Sequence, residues 1–270
     1  MPASIPRIGL GTYSDTDKDQ WAANVRTALE LGYRHVDTAQ AYDNEAYVGA
    51  GIESAPVDRE DVFLATKVAH PDHPVPGRED VRAMVDACLE RLRTDYVDLL
   101  YVHWPAGPYD PETTLGALQE LADEGKTRHV GVSNFEPETL DAAREVLDAP
   151  VAANQVECHP LLQQEALREY AVRHDHWLVA YCPLAQGGVF DVPEIRAVAE
   201  KHDASPAQVS LAWLLSKDNV AVIPKASSEA HMRENLAAAD LDLDDEDVAR
   251  IDAIDREERI IDREYAAWRQ

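Results

Sequence analysis

Short apolar segments alternate with longer segments of helical periodicity along the chain. The short segments are rich in β-branched and aromatic residues and lie at 7–10, 35–37, 62–67, 97–103, 129–133, 152–157, 177–181 and 221–224. Several of them, such as 97–102, are almost continuously apolar, which is typical of strands that are covered on both faces. They are therefore predicted to form eight buried β-strands.

Apolar residues recur every three or four positions in the intervening segments, as they do along one face of an α-helix. These segments lie at 20–31, 78–92, 111–124, 137–147, 163–174, 207–216, 229–238 and 244–254. Ser205 followed by Pro206 is typical of an N-cap and a first helical residue, so the pair marks the start of the sixth helix. Acidic residues follow Asp244 in the first turn of the last predicted helix, where negative charge interacts favourably with the helix dipole.

The alternation of strands and helices indicates the fold class. A strand followed each time by a helix favours parallel strands with right-handed crossovers, and eight such units in about 250 residues are typical of a closed barrel. An open doubly wound sheet is the rival, but the segment Gly9-Leu10-Gly11-Thr12-Tyr13 lacks the third glycine of its nucleotide-binding turn. We predict an α/β protein, a single (β/α)₈ TIM barrel, in which residues 1–270 form one domain.

The balance of charge excludes several classes of partner. The chain has 51 acidic and 25 basic residues, which gives a formal net charge of −26. Nucleic acids and anionic membrane surfaces would repel such a protein, so neither is expected to bind it. No apolar run approaches the roughly 18 residues that would suggest a membrane-spanning helix.

The basic residues are mostly arginines, because only six lysines occur in the chain. An acidic surface with few lysines is typical of proteins that work in concentrated salt, where a Debye length of about 3 Å at 1 M limits repulsion between carboxylates. We therefore expect a halophilic protein. The alternative is an acidic enzyme from an ordinary environment.

The cysteines and the N-terminus favour a cytoplasmic location. Cys88, Cys158 and Cys182 form no CxxC pair and are interpreted as reduced thiols. Cys158 and His159 are adjacent, but neighbouring residues of a strand point to opposite faces, and no second pair stands at zinc-like spacing. No metal site is therefore expected. Residues 1–6 contain no basic region followed by an apolar stretch, so no secretory signal is predicted.

Four side chains capable of proton chemistry lie where predicted strands end, which is where barrel enzymes place their active sites. Asp37 ends the second strand, Tyr42 lies in the following loop, Lys67 ends the third strand and His103 the fourth. Each has an ordinary alternative role: Asp37 as a loop or capping residue, Tyr42 as a rim aromatic, and His103 as a core histidine. Lys67 is the strongest candidate, because a lysine that ends an apolar strand needs a carboxylate partner such as Asp37.

Together the four side chains suggest carbonyl reduction. A phenol with a pKa near 10 is a poor proton donor at neutral pH, and an ammonium nearby would lower that value. Tyr42 beside Lys67 could then protonate a carbonyl oxygen, while His103 orients the oxygen by a hydrogen bond. No side chain can supply the hydride, so a nicotinamide cofactor is expected.

The chain resembles the aldo-keto reductases over nearly its whole length. The matching motifs are Gly9-Leu10-Gly11-Thr12, Asp37-Thr38-Ala39-Gln40-Ala41-Tyr42-Asp43-Asn44-Glu45, Lys67, Asp95-Tyr96-Val97-Asp98-Leu99-Leu100-Tyr101-Val102-His103-Trp104-Pro105, Gly131-Val132-Ser133-Asn134-Phe135, Asn154-Gln155-Val156-Glu157-Cys158-His159-Pro160, Tyr181-Cys182-Pro183-Leu184 and Ile223-Pro224-Lys225. The resemblance implies that Asp37, Tyr42, Lys67 and His103 form the catalytic tetrad of that family.

The resemblance also implies a cofactor site and a substrate site. The implied cofactor-binding residues are Thr12, Ser133, Asn134, Gln155, Tyr181, Leu184, Lys225, Ser228, Glu234 and Asn235. Of these, Ser133, Asn134 and Gln155 would hold the nicotinamide carboxamide, and Tyr181 would stack on the ring. The implied substrate-binding residues are Tyr13, His103 and Trp104.

Two positions depart from the family pattern for NADPH-preferring members. Ala226 replaces a serine and His231 replaces an arginine that would contact the 2′-phosphate. Losing a hydroxyl and a planar cation weakens the preference for NADPH, although Lys225 remains as a point charge. Arg233, two residues after His231, is the candidate to compensate, but on a helix it points in another direction. NADPH is still the expected cofactor, with NADH possible.

Three features of the chain resemble prokaryotic 2,5-diketo-D-gluconate reductases and methylglyoxal reductase-like members: the short segment after the last predicted helix, Asp37-Thr38-Ala39-Gln40 and Leu92-Arg93-Thr94-Asp95-Tyr96-Val97-Asp98. We therefore expect an open, shallow pocket for small carbonyl substrates such as 2,5-diketo-D-gluconate or methylglyoxal, in a monomeric protein. Two alternatives remain. One is an alcohol or polyol dehydrogenase that runs in the oxidative direction, and the other is a non-catalytic cofactor-binding regulatory subunit.

Overall fold

The computed structural model describes residues 3–14, 17–74 and 77–269. Met1 and Pro2, which belong to the segment used for the signal-peptide prediction, lie outside the described residues. The described residues form one parallel sheet whose eight strands follow chain order. The strands are β1 (Leu10–Gly11), β2 (His35–Asp37), β3 (Phe63–Val68), β4 (Val97–Val102), β5 (Thr127–Ser133), β6 (Ala153–Glu157), β7 (Trp177–Tyr181) and β8 (Val220–Val222).

The sheet closes on itself through the residues around β1. The Gly9 nitrogen donates to the Val222 oxygen at 2.8 Å, and the Val222 nitrogen donates to the Arg7 oxygen at 2.8 Å. Parallel bridges also join Ile8 to Val222 and Gly11 to Lys225. The predicted (β/α)₈ barrel is confirmed.

The glycines near β1 serve this closure rather than a nucleotide-binding turn. A Cβ atom on Gly11 would lie 2.5 Å from the Ile223 oxygen, and one on Gly9 would lie 2.9 Å from Cγ2 of Ile223. Both distances are too short for a side chain, so only glycine lets the first strand approach the last one this closely.

Ten α-helices lie within the described ranges. They are α1 (Trp21–Leu31), α2 (Glu45–Ser54), α3 (Arg78–Leu92), α4 (Pro111–Asp123), α5 (Pro137–Val146), α6 (Glu165–Arg173), α7 (Pro193–His202), α8 (Pro206–Leu215), α9 (Glu229–Ala237) and α10 (Asp245–Asp252). Eight of them agree with predicted helices to within about two residues, as is usual for helix ends. The sequence analysis missed α2 and α7.

The missed helix α2 owes its position to two glycines. A Cβ atom on Gly49 would lie 2.6 Å from the backbone of Leu92, and one on Gly51 would lie 2.7 Å from the Ala22 oxygen. Glycine lowers helix propensity, yet here it allows α2 to pack tightly against α1 and α3. Packing, and not helix propensity, stabilises α2. The sequence therefore lacks a clear helical pattern at this helix.

The barrel interior is filled with apolar side chains and is closed at its lower end by the N-terminal segment. Ala3 and Ile5 are buried against interior residues of β3, β4, β6, β7 and β8. The Trp177 indole donates to the Ala3 oxygen at 2.7 Å and fixes that segment. Function is therefore left to the opposite, carboxyl end of the strands, as in other barrels of this type.

None of the helices in the described part of the chain is long and apolar enough to cross a membrane. The single-domain assignment of residues 1–270 stays a prediction.

Candidate active site

A cavity of about 1100 Å³ opens at the carboxyl ends of the strands. Most of the side chains that the sequence indicated for the site line it: Thr12, Tyr13, Asp37, Tyr42, His103, Trp104, Ser133, Asn134, Gln155, Tyr181, Leu184, Lys225, Glu234 and Asn235. Lys67 lies buried behind the wall and Ser228 lies outside it. The barrel thus brings together residues that are widely separated in sequence.

Asp37 and Lys67 form a buried ion pair beneath the cavity. Nζ of Lys67 donates to Oδ1 of Asp37 at 2.5 Å and to the Thr38 oxygen at 2.8 Å. The Lys67 side chain is only 1% exposed, and the Asp37 side chain only 2%. The two strands that carry them, β2 and β3, are neighbours in the sheet. A buried charge is costly unless it is paired with an opposite charge and hydrogen-bonded. Lys67 and Asp37 meet both conditions, because each has the other as partner and makes a further hydrogen bond.

Tyr42 lies directly above this pair. It ends a 3₁₀ turn at Gln40–Tyr42, and its ring centroid is 5.1 Å from Nζ of Lys67. The loop is held by Asn44, which donates to the Thr12 oxygen at 2.8 Å and accepts from the Thr38 hydroxyl at 2.8 Å. The surrounding hydrogen bonds therefore fix the phenol at the cavity wall.

The pKa of Tyr42 differs from the sequence prediction. Burial raises the pKa of its hydroxyl well above the ordinary value, and the charge of Asp37 raises it further. Burial also lowers the pKa of Lys67, although Asp37 opposes that shift. The predicted lowering of the Tyr42 pKa is therefore wrong, because loss of solvent and the charge of Asp37 both raise it. Tyr42 carries its proton at neutral pH.

His103 faces Tyr42 as an uncharged imidazole. Its ring is 5.8 Å from the Tyr42 ring, centroid to centroid, in an edge-on arrangement. Burial lowers the pKa of His103 well below its ordinary value, and the nearby Lys67 lowers it further. Nδ1 of His103 has no hydrogen-bond partner among the residues described. A neutral imidazole can donate one hydrogen bond to a substrate oxygen.

Polar residues at the ends of β5, β6 and β7 form the opposite wall. The Ser133 hydroxyl donates to the Gln155 oxygen at 2.8 Å, and the Tyr181 hydroxyl donates to Oδ1 of Asn134 at 2.9 Å. Nδ2 of Asn134 donates to the His103 oxygen at 3.0 Å. These bonds hold the wall rigid, which is what a binding site for a planar ring needs.

Gln155 connects this wall to the ion pair. Its Nε2 donates to Oδ2 of Asp37 at 2.7 Å, so both carboxylate oxygens of Asp37 accept a hydrogen bond. The Gln155 side chain is therefore itself oriented by Asp37.

The cavity fits a dinucleotide. Its volume of about 1100 Å³ slightly exceeds the roughly 300–1000 Å³ of small-molecule sites. Oγ1 of Thr12 is buried at the wall without a hydrogen-bond partner in the described ranges, and a buried hydroxyl of this kind calls for a ligand or a water. The cavity also extends to the exposed Lys225 and to His231, which can face a phosphate.

Residues 7–256 match the sequence profile described as the Aldo/keto reductase family. The chain belongs to the aldo/keto reductase family. It is 39% identical to a methylglyoxal reductase DkgB of Escherichia coli O157:H7, covering 98% of each chain. It is also 39% identical to a glyoxal reductase of Bacillus subtilis strain 168, covering 95% of this chain and 91% of that one.

The three-dimensional comparison agrees. A crystal structure of a proposed 2,5-diketo-D-gluconic acid reductase B superposes with a TM-score of 0.93 at 39% identity, covering 98% of this chain and 93% of the other. The protein is therefore an oxidoreductase, and its relatives support a role in carbonyl reduction.

At the Lys225 end of the cavity, two residues of this aldo/keto reductase that were considered for the cofactor make other contacts. Oγ of Ser228 accepts a hydrogen bond from the His231 nitrogen and caps α9. Arg233 pairs with Glu229 on the exposed face of α9, at 2.7 Å, and does not line the cavity. Arg233 therefore does not replace the family's arginine, whose position in this chain is occupied by His231.

The sequence analysis named no site residue in the segment at 258–269, which contributes another wall of the cavity. Ile261 and Arg263 line the cavity. The Tyr265 ring lies 5.2 Å from the Trp104 ring, and the Trp268 ring lies 5.7 Å from it. The segment has no periodic pattern, so only its two aromatic residues could have drawn attention to it.

His70 was missed as well. It lines the cavity, and its ring lies 4.8 Å from the His103 ring. The Asp72 nitrogen donates to Nδ1 of His70 at 3.1 Å, so Nε2 carries the proton of the neutral ring. His70 follows a strand end, which is the same position in the fold that indicated the tetrad.

Proposed function

We propose that this aldo/keto reductase reduces small aldehydes and ketones to alcohols with NADPH. Methylglyoxal and 2,5-diketo-D-gluconate are the substrates we favour. The names of two similar proteins, a methylglyoxal reductase and a glyoxal reductase, support a small dicarbonyl substrate. The observation that carries the proposal is the buried Asp37–Lys67 pair beneath Tyr42 at the cavity wall.

When bound, a reduced nicotinamide supplies a hydride to a carbonyl carbon. Tyr42 donates its proton to the carbonyl oxygen as that oxygen becomes an alkoxide. Lys67, at 5.1 Å from the ring centroid, stabilises the phenolate that Tyr42 leaves behind. Asp37 holds the ammonium in place, and neutral His103 orients the oxygen by a hydrogen bond.

The residues proposed to hold the dinucleotide follow the cavity from Thr12 to Asn235. Ser133, Asn134 and Gln155 would bind the carboxamide, Tyr181 would stack on the ring, and Lys225 would face the 2′-phosphate. The preference for NADPH rests on Lys225, since Ala226 is buried and Arg233 is paired elsewhere. A tenfold higher kcat/KM with NADH than with NADPH would overturn this choice.

The substitution Tyr42→Phe tests the proposed proton donor. We expect it to lower kcat for methylglyoxal by about 10²- to 10⁴-fold, the range for general acid catalysis, while the Kd for NADPH changes less than twofold. Tyr47→Phe is the matched control, because Tyr47 is exposed on the neighbouring helix α2 and its loss should leave kcat unchanged. Retention of most of the turnover in Tyr42→Phe would move the acid to another residue, such as His103.

A further inference from the structure

The segment at 258–269, here called the C-terminal wall, is fixed to the barrel at one buried carboxylate. Glu157 is the last residue of β6, and its side chain is fully buried. We infer that Glu157 is a positioning residue that sets the substrate side of the pocket by holding this wall. The inference rests on the proposed function, because it assigns a specificity role within the same site.

Three donors meet the Glu157 carboxylate. Oε1 accepts from the Ile260 nitrogen at 2.6 Å and faces Nε2 of His159 at 3.0 Å. Oε2 accepts from the Ile261 nitrogen at 2.7 Å. Two consecutive backbone N–H groups therefore bind one carboxylate, as they do in anion-binding turns. The Glu258 nitrogen adds a second attachment by donating to the Leu161 oxygen at 2.7 Å.

These hydrogen bonds keep a buried charge stable. Burial alone would raise the pKa of Glu157, but the hydrogen bonds from His159, Ile260 and Ile261 outweigh it and lower the pKa. Charge-assisted hydrogen bonds are shorter and stronger than neutral ones. Glu157 is thus ionised in the folded protein, and the wall depends on that charge.

The C-terminal wall connects its attachment at Glu157 to the substrate side of the cavity. Directly after Ile260, the side chains of Ile261 and Arg263 enter the cavity. Further along, Tyr265 packs against Trp104 and its hydroxyl lies 3.4 Å from Nε2 of His70. Glu157 does not line the cavity itself. Its loss should therefore change how a carbonyl substrate is held, and not the proton transfer.

The substitution Glu157→Gln tests this role. The amide keeps the size of the side chain but has one acceptor oxygen and places an NH₂ group against a backbone donor. We expect the KM for methylglyoxal to rise about tenfold, which corresponds to about 1.4 kcal/mol, with kcat and the Kd for NADPH within about threefold of the original.

Asp98→Asn is the matched control. Asp98 is also a buried carboxylate with three donors, namely Arg59, Arg128 and the Leu64 nitrogen, but it lies near the amino end of β4, away from the cavity. We expect Asp98→Asn to lower the unfolding midpoint without changing KM. An equal rise of KM in both variants would overturn the inference, because it would indicate general loosening of the barrel.

Trypsin cleavage gives a readout that does not depend on activity. Arg259 and Arg263 lie within the C-terminal wall, and Glu157→Gln should be cut there at least about ten times faster than the original protein, because cleavage follows local opening. A variant that ends at Arg259 should match the KM of Glu157→Gln, and combining the two should add nothing.

The two proposals fail in different ways. If the original protein reduces no carbonyl compound, the proposed function is wrong, while trypsin still tests the attachment. If Glu157→Gln keeps the original cleavage rate and the original KM, Glu157 does not position the wall.

Discussion

Asp37 holds two buried partners by hydrogen bonds to both of its carboxylate oxygens. It accepts from Lys67 at 2.5 Å and from Gln155 at 2.7 Å, so it links the ammonium beneath the proposed proton donor Tyr42 to the proposed cofactor wall. A buried pair of this kind contributes little net stability, but breaking it leaves one charge without a partner. The same contacts that serve the chemistry therefore also constrain the fold.

Asp37→Asn should be strongly destabilising. We expect a loss of about 3–5 kcal/mol in the free energy of unfolding, because the Lys67 ammonium would stay buried without its counter-charge. Urea denaturation measures the loss. Asp43→Asn is the control, since Asp43 pairs with Lys18 on the surface, where its side chain is 65% exposed, and such pairs contribute little. Equal effects of the two substitutions would contradict the buried pair.

Buried histidines predict a dependence of stability on pH. Burial lowers the pKa of His176 from 6.5 to about 4, so the unfolded chain binds a proton at higher pH than the folded one. Stability is then complete above about pH 6.5 and decreases as the pH falls towards 4, by on the order of 3 kcal/mol for this residue. His176→Gln should remove that part of the decrease in urea midpoints measured from pH 7 to pH 4.5. An unchanged pH profile in the variant would show that His176 does not titrate this way.

At the scale of elements, strand ends were easier to predict than helix packing. The residues at the carboxyl ends of β2, β3 and β4 could be read from the sequence because parallel strands of a barrel end at one rim. The helix α2 could not, because Gly49 and Gly51 lower its propensity and only their contacts with α1 and α3 explain them. Contacts of this kind leave no periodic pattern in the sequence.

The start of α8 was predicted correctly and gives a test at this scale. Oγ of Ser205 accepts from the Gln208 nitrogen, and the Gln208 side chain accepts from the Ser205 nitrogen, which completes a capping box before Pro206. Ser205→Ala should lower the free energy of unfolding by about 1 kcal/mol, because it leaves a helix N–H without an acceptor. Ser205→Asn should retain most of the stability in the same urea titration. If the alanine variant is as stable as the original, the cap contributes nothing.

For the whole molecule, charge is the dominant feature. Acidic residues outnumber basic ones by 51 to 25, and they cluster on the surface at Asp242, Asp244, Asp245 and Glu246. Repulsion among surface carboxylates opposes the compact state, and salt screens it. The proposal of a halophilic protein rests on this balance.

Raising NaCl from about 0.1 M to about 1 M shortens the Debye length from roughly 10 Å to 3 Å, and we expect Tm to rise by at least roughly 5 °C, equivalent to one to two kcal/mol. Thermal unfolding followed by circular dichroism measures the shift. KCl at equal ionic strength should act alike, because screening depends on ionic strength and not on the cation. A Tm that stays constant or falls would favour an ordinary acidic enzyme.

The sequence by itself determined the barrel, eight of its helices and the positions of the four side chains proposed for catalysis. It could do so because strand and helix periodicity and the common rim of a parallel barrel follow from local patterns. Tertiary structure decided the direction of the Tyr42 pKa, because that depends on how much solvent the packed site excludes. It also decided the C-terminal wall, because Glu157 and Ile261 are 104 residues apart and no periodicity connects them; only the folded chain brings that carboxylate to those two N–H groups.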